Sequence, residues 1–140
     1  MDFYEQLTAT VAAQDRSRPL LMCGDFNIAP GEFDVWNHRY MSKIVSHTPL
    51  EVETLKRLQA AGAFADVVRD AYPEPRKLAS WWSYRAEDFR KSARGLRLDH
   101  IWTSPGLTPA VVAGSATIHE PVRAWTQPSD HCPITVDLDF

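Results

Sequence analysis

The apolar positions of this chain fall into helical, alternating and continuous patterns, and each predicts a different element. Asp2 to Gln14 place Phe3, Leu7, Thr10 and Val11 near helical spacing, with Asp15 to Ser17 closing the segment, which predicts an amphipathic helix. A second helix is marked by its ends. Thr48 suits the cap, Pro49 the first helical position and Glu51 a capping box, so Leu50 to Ala61 is helical, Gly62 ends it, and Val52, Leu55 and Leu58 face a core. Asp66 caps a brief third helix, Val67 to Ala71, before Pro73 and Pro75 break the chain.

The strand patterns differ among themselves. Leu20 to Cys23 is a continuous apolar run too short for a helix and apolar on both faces, which predicts a central strand covered on both sides. Ser80 to Arg85 reads as a strand from its aromatic content. In Leu96 to Thr103, the residues Leu96, Leu98, His100 and Trp102 alternate with Arg97, Asp99, Ile101 and Thr103, so both faces carry apolar surface. Ser115 to His119 is a further strand, and the clearest is the last, where Ile134, Val136, Leu138 and Phe140 face one way and Thr135, Asp137 and Asp139 the other. Glu32 to Ser46 reads as loop with short helical pieces, and Ala86 to Arg94 and Glu120 to Ser129 as loops. No repeat, low-complexity tract or linker divides the chain, so residues 1–140 read as a single unit of α/β class.

Composition adds limits to this picture. A chain of 140 residues with 44% hydrophobic and 11% aromatic content can bury a core. No run approaches the roughly 18 apolar residues of a membrane span, and Met1 to Thr10 lack a basic region followed by an apolar one, so the expected location is the cytoplasm, with no membrane partner. Cys23 and Cys132 lack the paired spacing of a zinc site and read as reduced thiols, both flanking candidate site residues. The net charge of -3 conceals a basic stretch: Arg69 to Arg97 holds eight Lys or Arg against four acids. Interleaved with Trp81, Trp82, Tyr84 and Phe89, those charges form either a nucleic acid surface or an ordinary solvated loop.

The candidate chemistry lies where strand-like runs meet acids. Asp25, Asn27, Asp99, Asp130 and His131 would share one rim of a sheet if three strand ends meet there. Magnesium prefers oxygen ligands and keeps several waters, so one or two carboxylates such as Asp25 and Asp130 suit it. Asn27 offers an amide donor to a phosphoryl oxygen without adding negative charge. His131 can donate to a phosphate when protonated or take a proton from water when neutral, and a carboxylate such as Asp99 would fix its tautomer. Taken singly, each has a plainer role: Asp25 and Asn27 as turn formers, Asp99 as a partner of Arg97 or Arg123, and His131 as a half-buried structural histidine. Trp81 and Trp82 are adjacent in a strand and face opposite ways, so one of them can line a site.

Taken in order, four motifs resemble a known family. Gly24-Asp25-Phe26-Asn27, Trp81-Trp82-Ser83-Tyr84-Arg85, Gly95-Leu96-Arg97-Leu98-Asp99 and Ser129-Asp130-His131-Cys132-Pro133 are similar to the successive C-terminal motifs of the exonuclease III type apurinic/apyrimidinic endonucleases, within the endonuclease/exonuclease/phosphatase superfamily. The resemblance implies a layered α/β sandwich, of which this sequence carries about half, mainly the second sheet. It also implies a nuclease dependent on Mg2+, or Mn2+ in its place, that acts in base excision repair on duplex DNA, beside abasic sites and from 3′ ends. By position, Asp25 would orient or deprotonate the attacking water and join Asp130 at the metal, and Asn27 would bind the scissile phosphate. Asp99 would pair with His131, which contacts the phosphate. Trp81 and Leu96 would help form the pocket for a flipped-out abasic sugar, with Arg97 beside them toward the substrate. The family's early Asn, metal-binding Glu and catalytic Tyr come from an N-terminal half that these residues do not match. A complementing half or a second copy is therefore an expected partner. The alternatives are an inositol or lipid phosphatase of the same superfamily, whose relatives tend to lack the Trp-Trp-Ser-Tyr-Arg motif, and a non-catalytic nucleic acid binding module.

Overall fold

The computed structural model describes residues 2–85 and 88–140, and its elements follow local chemistry closely at the helices and less closely at the strands. In chain order they include α1 (Asp2–Ala12), β1 (Leu21–Asp25), α2 (His38–Met41), α3 (Pro49–Ala61), β2 (Ala65–Asp66), α4 (Val67–Ala71), α5 (Phe89–Ser92), β3 (Asp99–Thr103), β4 (Thr117–Ile118) and β5 (Ile134–Thr135). Short 3-10 turns lie at Glu32–Asp34, Thr108–Ala110 and Glu120–Ala124.

The helix starts behave as their residues dictate. The Thr48 hydroxyl accepts from the Glu51 amide and the Glu51 carboxylate accepts from the Thr48 amide at 3.0 Å, closing the capping box of α3. Asp66 caps α4 by accepting from the Arg69 amide. Asp88 does the same for α5, a short helix within the stretch expected to be loop, whose Ala86 and Glu87 lie outside the described residues.

The first sheet has the order β1-β3-β2, with both pairings antiparallel. Its central strand is therefore β3, and the expectation that Leu20 to Cys23 would be central is corrected: β1 is an edge, with Leu21, Cys23, Gly24 and Asp25 exposed. Strand β3 has the cover on both faces that its mixed pattern required. Trp102 packs with Val11, Ile28, Leu55, Leu58 and Phe64 beneath α1 and α3. Ile101, on the opposite face, packs with Val67, Val68, Leu78 and Ala116, with Ile118 and Ile134 of the second, two-stranded sheet β4-β5, and with Val136 just beyond it. The layers thus run from helices through a three-stranded sheet to a smaller sheet.

Four expected strands are shorter or absent: Ser115 to His119 pairs only at Thr117–Ile118, and in the other three, side chains and single bridges take the hydrogen bonds a ladder would use. Ser80 to Arg85 forms no strand. The Ser80 and Trp81 amides both donate to the Leu96 carbonyl, and the Trp82 amide turns instead to Asp130. Leu96 to Leu98 are likewise outside β3, since the Arg97 amide donates to the Asp34 carbonyl and the Leu98 amide to the Ser80 hydroxyl. The last segment alternates as expected as far as Leu138, but its partner changes from β4 to Val111, so the regular ladder ends at Thr135 and Phe140 stands exposed.

Candidate active site

Asp25 ends β1 and Asp99 begins β3, and the antiparallel register sets them directly opposite. Like charges so placed repel, and the local structure supplies the compensation. The Asn27 amide donates to Asp25 Oδ1 at 2.8 Å, and His131 Nδ1 donates to Asp99 Oδ2 at 2.8 Å. The other imidazole nitrogen, Nε2, lies 3.8 Å from Asp25 Oδ2. His131 thus bridges the two carboxylates, and all three residues are accessible in part. Asp99 and His131 border a groove of about 460 Å3 that Gly24, Ser129 and Ile101 also line. Gly24 has φ of 139°, a backbone angle that L side chains rarely adopt, one residue before Asp25.

Asn27 follows in the left-handed region at φ 53°, which asparagine tolerates better than most residues. Asp130 is held from the other side: its Oδ2 accepts from the Trp81 indole at 2.9 Å. Trp81 also bridges His131 and Leu96 through its backbone, while Trp82 turns away into a cluster with Phe89 and Cys132. The two tryptophans therefore face opposite ways even without a regular strand. Sequence reasoning missed Ser80, which is fully buried and joins the pieces. Its hydroxyl accepts from the Leu98 and Asp99 amides, both at 3.0 Å, and its carbonyl accepts from the Cys132 amide at 2.7 Å. A serine leading into two tryptophans was the available signal, but nothing in the spacing told its hydroxyl from a surface one.

Arg97 corrects the expectation that it meets substrate. It is 1% exposed, and its guanidinium donates to Asp34 at 2.6 Å, to Asp66 at 2.8 Å and to His100 at 3.0 Å. Arg69 also pairs with Asp34. Burial alone would push the Asp34 carboxyl up, yet the hydrogen bond and charge of Arg97, with those of Arg69, leave it below the usual carboxylate range. Asp66 is held lower still: burial again works against ionisation, and the Arg97 guanidinium and the Arg69 amide, both donating to it, outweigh it. These interior pairs remove two cations from the basic stretch; Arg85, Arg90, Lys91 and Arg94 remain exposed. Leu96 is also internal, packed with Val35, Met41 and Leu98, so it supports Trp81 and presents little surface of its own. Asp99 pairs with neither Arg97 nor Arg123 but with His131.

Two thiols flank the site on the same groove, Cys23 exposed and Cys132 buried, and both are free. Burial pushes the Cys132 thiol up to about 11.

The donor set suits a cation. Among the described residues, Asp25, Asp99 and His131 each offer a ligand atom within 4.8 Å of the others. The oxygens fit a hard divalent ion, whereas His131 is already turned to the two carboxylates and engages Asp99, so Asp25 is the best ligand of the three. Chemically the cluster can hold a cation, present an imidazole N–H to an anion, and accept a proton at Asp25 Oδ2.

Comparison with known proteins places the fold and the family. An exodeoxyribonuclease of Bacillus subtilis is 32% identical over 140 residues, which is all of this chain and 52% of that protein. Among solved structures, an AP endonuclease from Archaeoglobus fulgidus superposes with a TM-score of 0.91 at 25% identity, over 99% of this chain and 53% of that one. A 3′ phosphatase from Neisseria, bound to a product DNA hairpin, gives a TM-score of 0.88 at 29% identity, over 99% and 52%. The chain thus spans about half the length of the relatives it matches. No described helix is long and apolar enough to cross a membrane. The family model described as the endonuclease/exonuclease/phosphatase family matches residues 1–131, and the chain belongs to that family.

Proposed function

We propose that this chain carries the C-terminal catalytic residues of a magnesium-dependent DNA phosphodiesterase of the exonuclease III type, acting beside abasic sites and at 3′ ends. The observation that carries the reading is the Asp25–His131–Asp99 bridge. A carboxylate accepting at Nδ1 fixes the imidazole so that Nε2 faces Asp25, where the reacting phosphate would lie. A protonated His131 donates that Nε2–H to a phosphoryl oxygen. Asp25 has one oxygen engaged by the Asn27 amide, and its Oδ2 remains to take a proton from the attacking water. Asn27 supplies a neutral donor on the same side. Asp25 and Asp130 would hold Mg2+, which supplies charge neutralisation and polarisation of the phosphoryl oxygen when bound.

DNA as the substrate is supported by the surface beside the site. Ser83, Arg85, Lys91, Ser92 and Arg94 line a groove of about 590 Å3. Tyr84 is 60% exposed next to it, and its hydroxyl donates to the Pro128 carbonyl, two residues before Asp130. Cations track a phosphate backbone and an exposed aromatic ring can stack on a base. The Neisseria relative, solved with a DNA product, is consistent with that substrate class.

The test is cleavage of an end-labelled duplex containing one abasic site, with and without magnesium, beside His131→Ala. Magnesium-dependent nicking that the substitution lowers by about 10²- to 10⁴-fold is expected, the range for a positioned acid or base. A folded chain that binds the duplex in a salt-sensitive way at every magnesium concentration and never cuts it would overturn the reading in favour of a binding module.

A further inference from the structure

Asn27 occupies a left-handed backbone conformation in a segment where three nearby carbonyls each accept a hydrogen bond from a different side chain. The Tyr4 hydroxyl, from α1, donates to the Phe26 carbonyl. His100 Nε2, from β3, lies 2.9 Å from the Ile28 carbonyl, and His47 Nδ1, from the turn before α3, lies 2.6 Å from the Ala29 carbonyl. A carbonyl only accepts, so both imidazoles carry their proton on the nitrogen facing it. The remaining nitrogens agree: His100 Nδ1 accepts from the Arg97 guanidinium at 3.0 Å, and His47 Nε2 accepts from His38 Nδ1 at 2.8 Å. His47 and His100 are buried, and the His100 ring stacks on Phe26 at 5.3 Å.

The amides of the segment are fixed as well. Phe26 donates to the Leu98 carbonyl, Asn27 to Asp25 and Ala29 to the Ser46 carbonyl. We propose that Tyr4, His47 and His100 act together as positioning residues, holding the Phe26–Ala29 backbone so that Asn27 keeps its left-handed turn and aims its amide at the phosphate. The inference rests on the reading of Asn27 as a phosphate ligand. The physical need is specific. A non-glycine residue at positive φ is held there by its surroundings, and a donor for a transition state works when it is fixed beforehand. Burial, with the nearby charges of Asp25 and Glu51, pushes the Tyr4 phenol up to about 12, so it stays a donor across the working pH range.

The experiment pairs amide hydrogen exchange with a double-mutant cycle. Tyr4→Phe removes one donor and keeps the ring, and His100→Gln keeps an amide donor that His100→Leu removes. Exchange at the Asn27 and Ala29 amides is expected to rise about tenfold in Tyr4→Phe and His100→Leu, the equivalent of one hydrogen bond. His100→Gln should recover part of it, and amides inside α3 should not change. In cleavage, Tyr4→Phe is expected to lower kcat by a similar factor with KM little changed, and to have no further effect in an Asn27→Ala background. Unchanged exchange, a uniform rise across the chain, or a kcat loss equally large without Asn27 would overturn the proposal. Exchange needs no substrate, so the clamp is judged separately from the nuclease reading should no variant cut DNA.

Discussion

Asp99 is the residue on which the imidazole geometry depends, and Asp99→Asn is the sharpest single change in the site. An amide can offer His131 Nδ1–H a carbonyl oxygen but no charge, and it can rotate to present a competing donor. The substitution is expected to lower nicking by about 10²-fold or more, mainly in kcat, as single-turnover cleavage would show. A nicking rate within twofold of the parent would deny His131 its dependence on Asp99. Cys23 and Cys132 give a second prediction at this scale. Cys132 is 3% exposed with its thiol held protonated by burial, while Cys23 lies open on β1. A disulfide reagent at neutral pH is expected to modify Cys23 first and Cys132 only as the chain unfolds. Equal rates would mean the groove opens readily. Part of the site's geometry was legible from the motifs: Asp25, Asp99 and His131 do lie together, Asn27 adjoins Asp25, and Asp130 is tied to Trp81. Arg97 was not legible, since nothing in its neighbours reveals that Asp34, 63 positions away, would enclose it.

Among the elements, α3 is the one whose stability its sequence states most directly. Thr48→Ala removes the cap hydroxyl and is expected to cost about 1 kcal/mol, read from the urea midpoint. Leu58→Ala, at a fully buried position beneath β3, should cost about 2–5 kcal/mol. If the cap variant proved the worse of the two, the packing of α3 on α1 would contribute less than its burial implies. The four-residue α5 is too short to show a period and was read as loop, while helices α1, α3 and α4 were read to within a residue or two because their signals are local: a cap, a proline or a period of 3.6. The strands were not, because pairing is decided by distant partners. Leu20 to Cys23 carries the composition of a central strand yet lies at the sheet edge, and Ser80 to Arg85 gives its hydrogen bonds singly to Leu96 and Asp130.

At the scale of the whole molecule, the interior ion network ties the 3-10 turn at Asp34, the cap of α4 and the approach to β3 into one unit. Asp34 and Asp66 have folded pKa values below those of an unfolded chain, so they stabilise the fold fully above roughly pH 5, and that stability is lost as pH falls through the carboxylate range. Urea midpoints should therefore decline with acid, and less steeply in Asp34→Asn; an identical slope would place the acid sensitivity elsewhere. Arg97→Met strands the buried Asp66 carboxylate, leaves Asp34 with Arg69 alone and should cost about 3–5 kcal/mol. The pairing of Asp25 with Asp99 has a consequence for how such a chain can change over time. The whole of Phe26 to Leu98 is a closed excursion between two residues whose separation is set by backbone pairing. Lengthening or trimming its outer turns leaves the two carboxylates in place. One residue inserted within Leu21–Gly24 would instead turn successive β1 side chains to the opposite face and carry Asp25 away from His131. The outer turns of this chain can thus change in length, while five residues of edge strand hold the register of the chemistry.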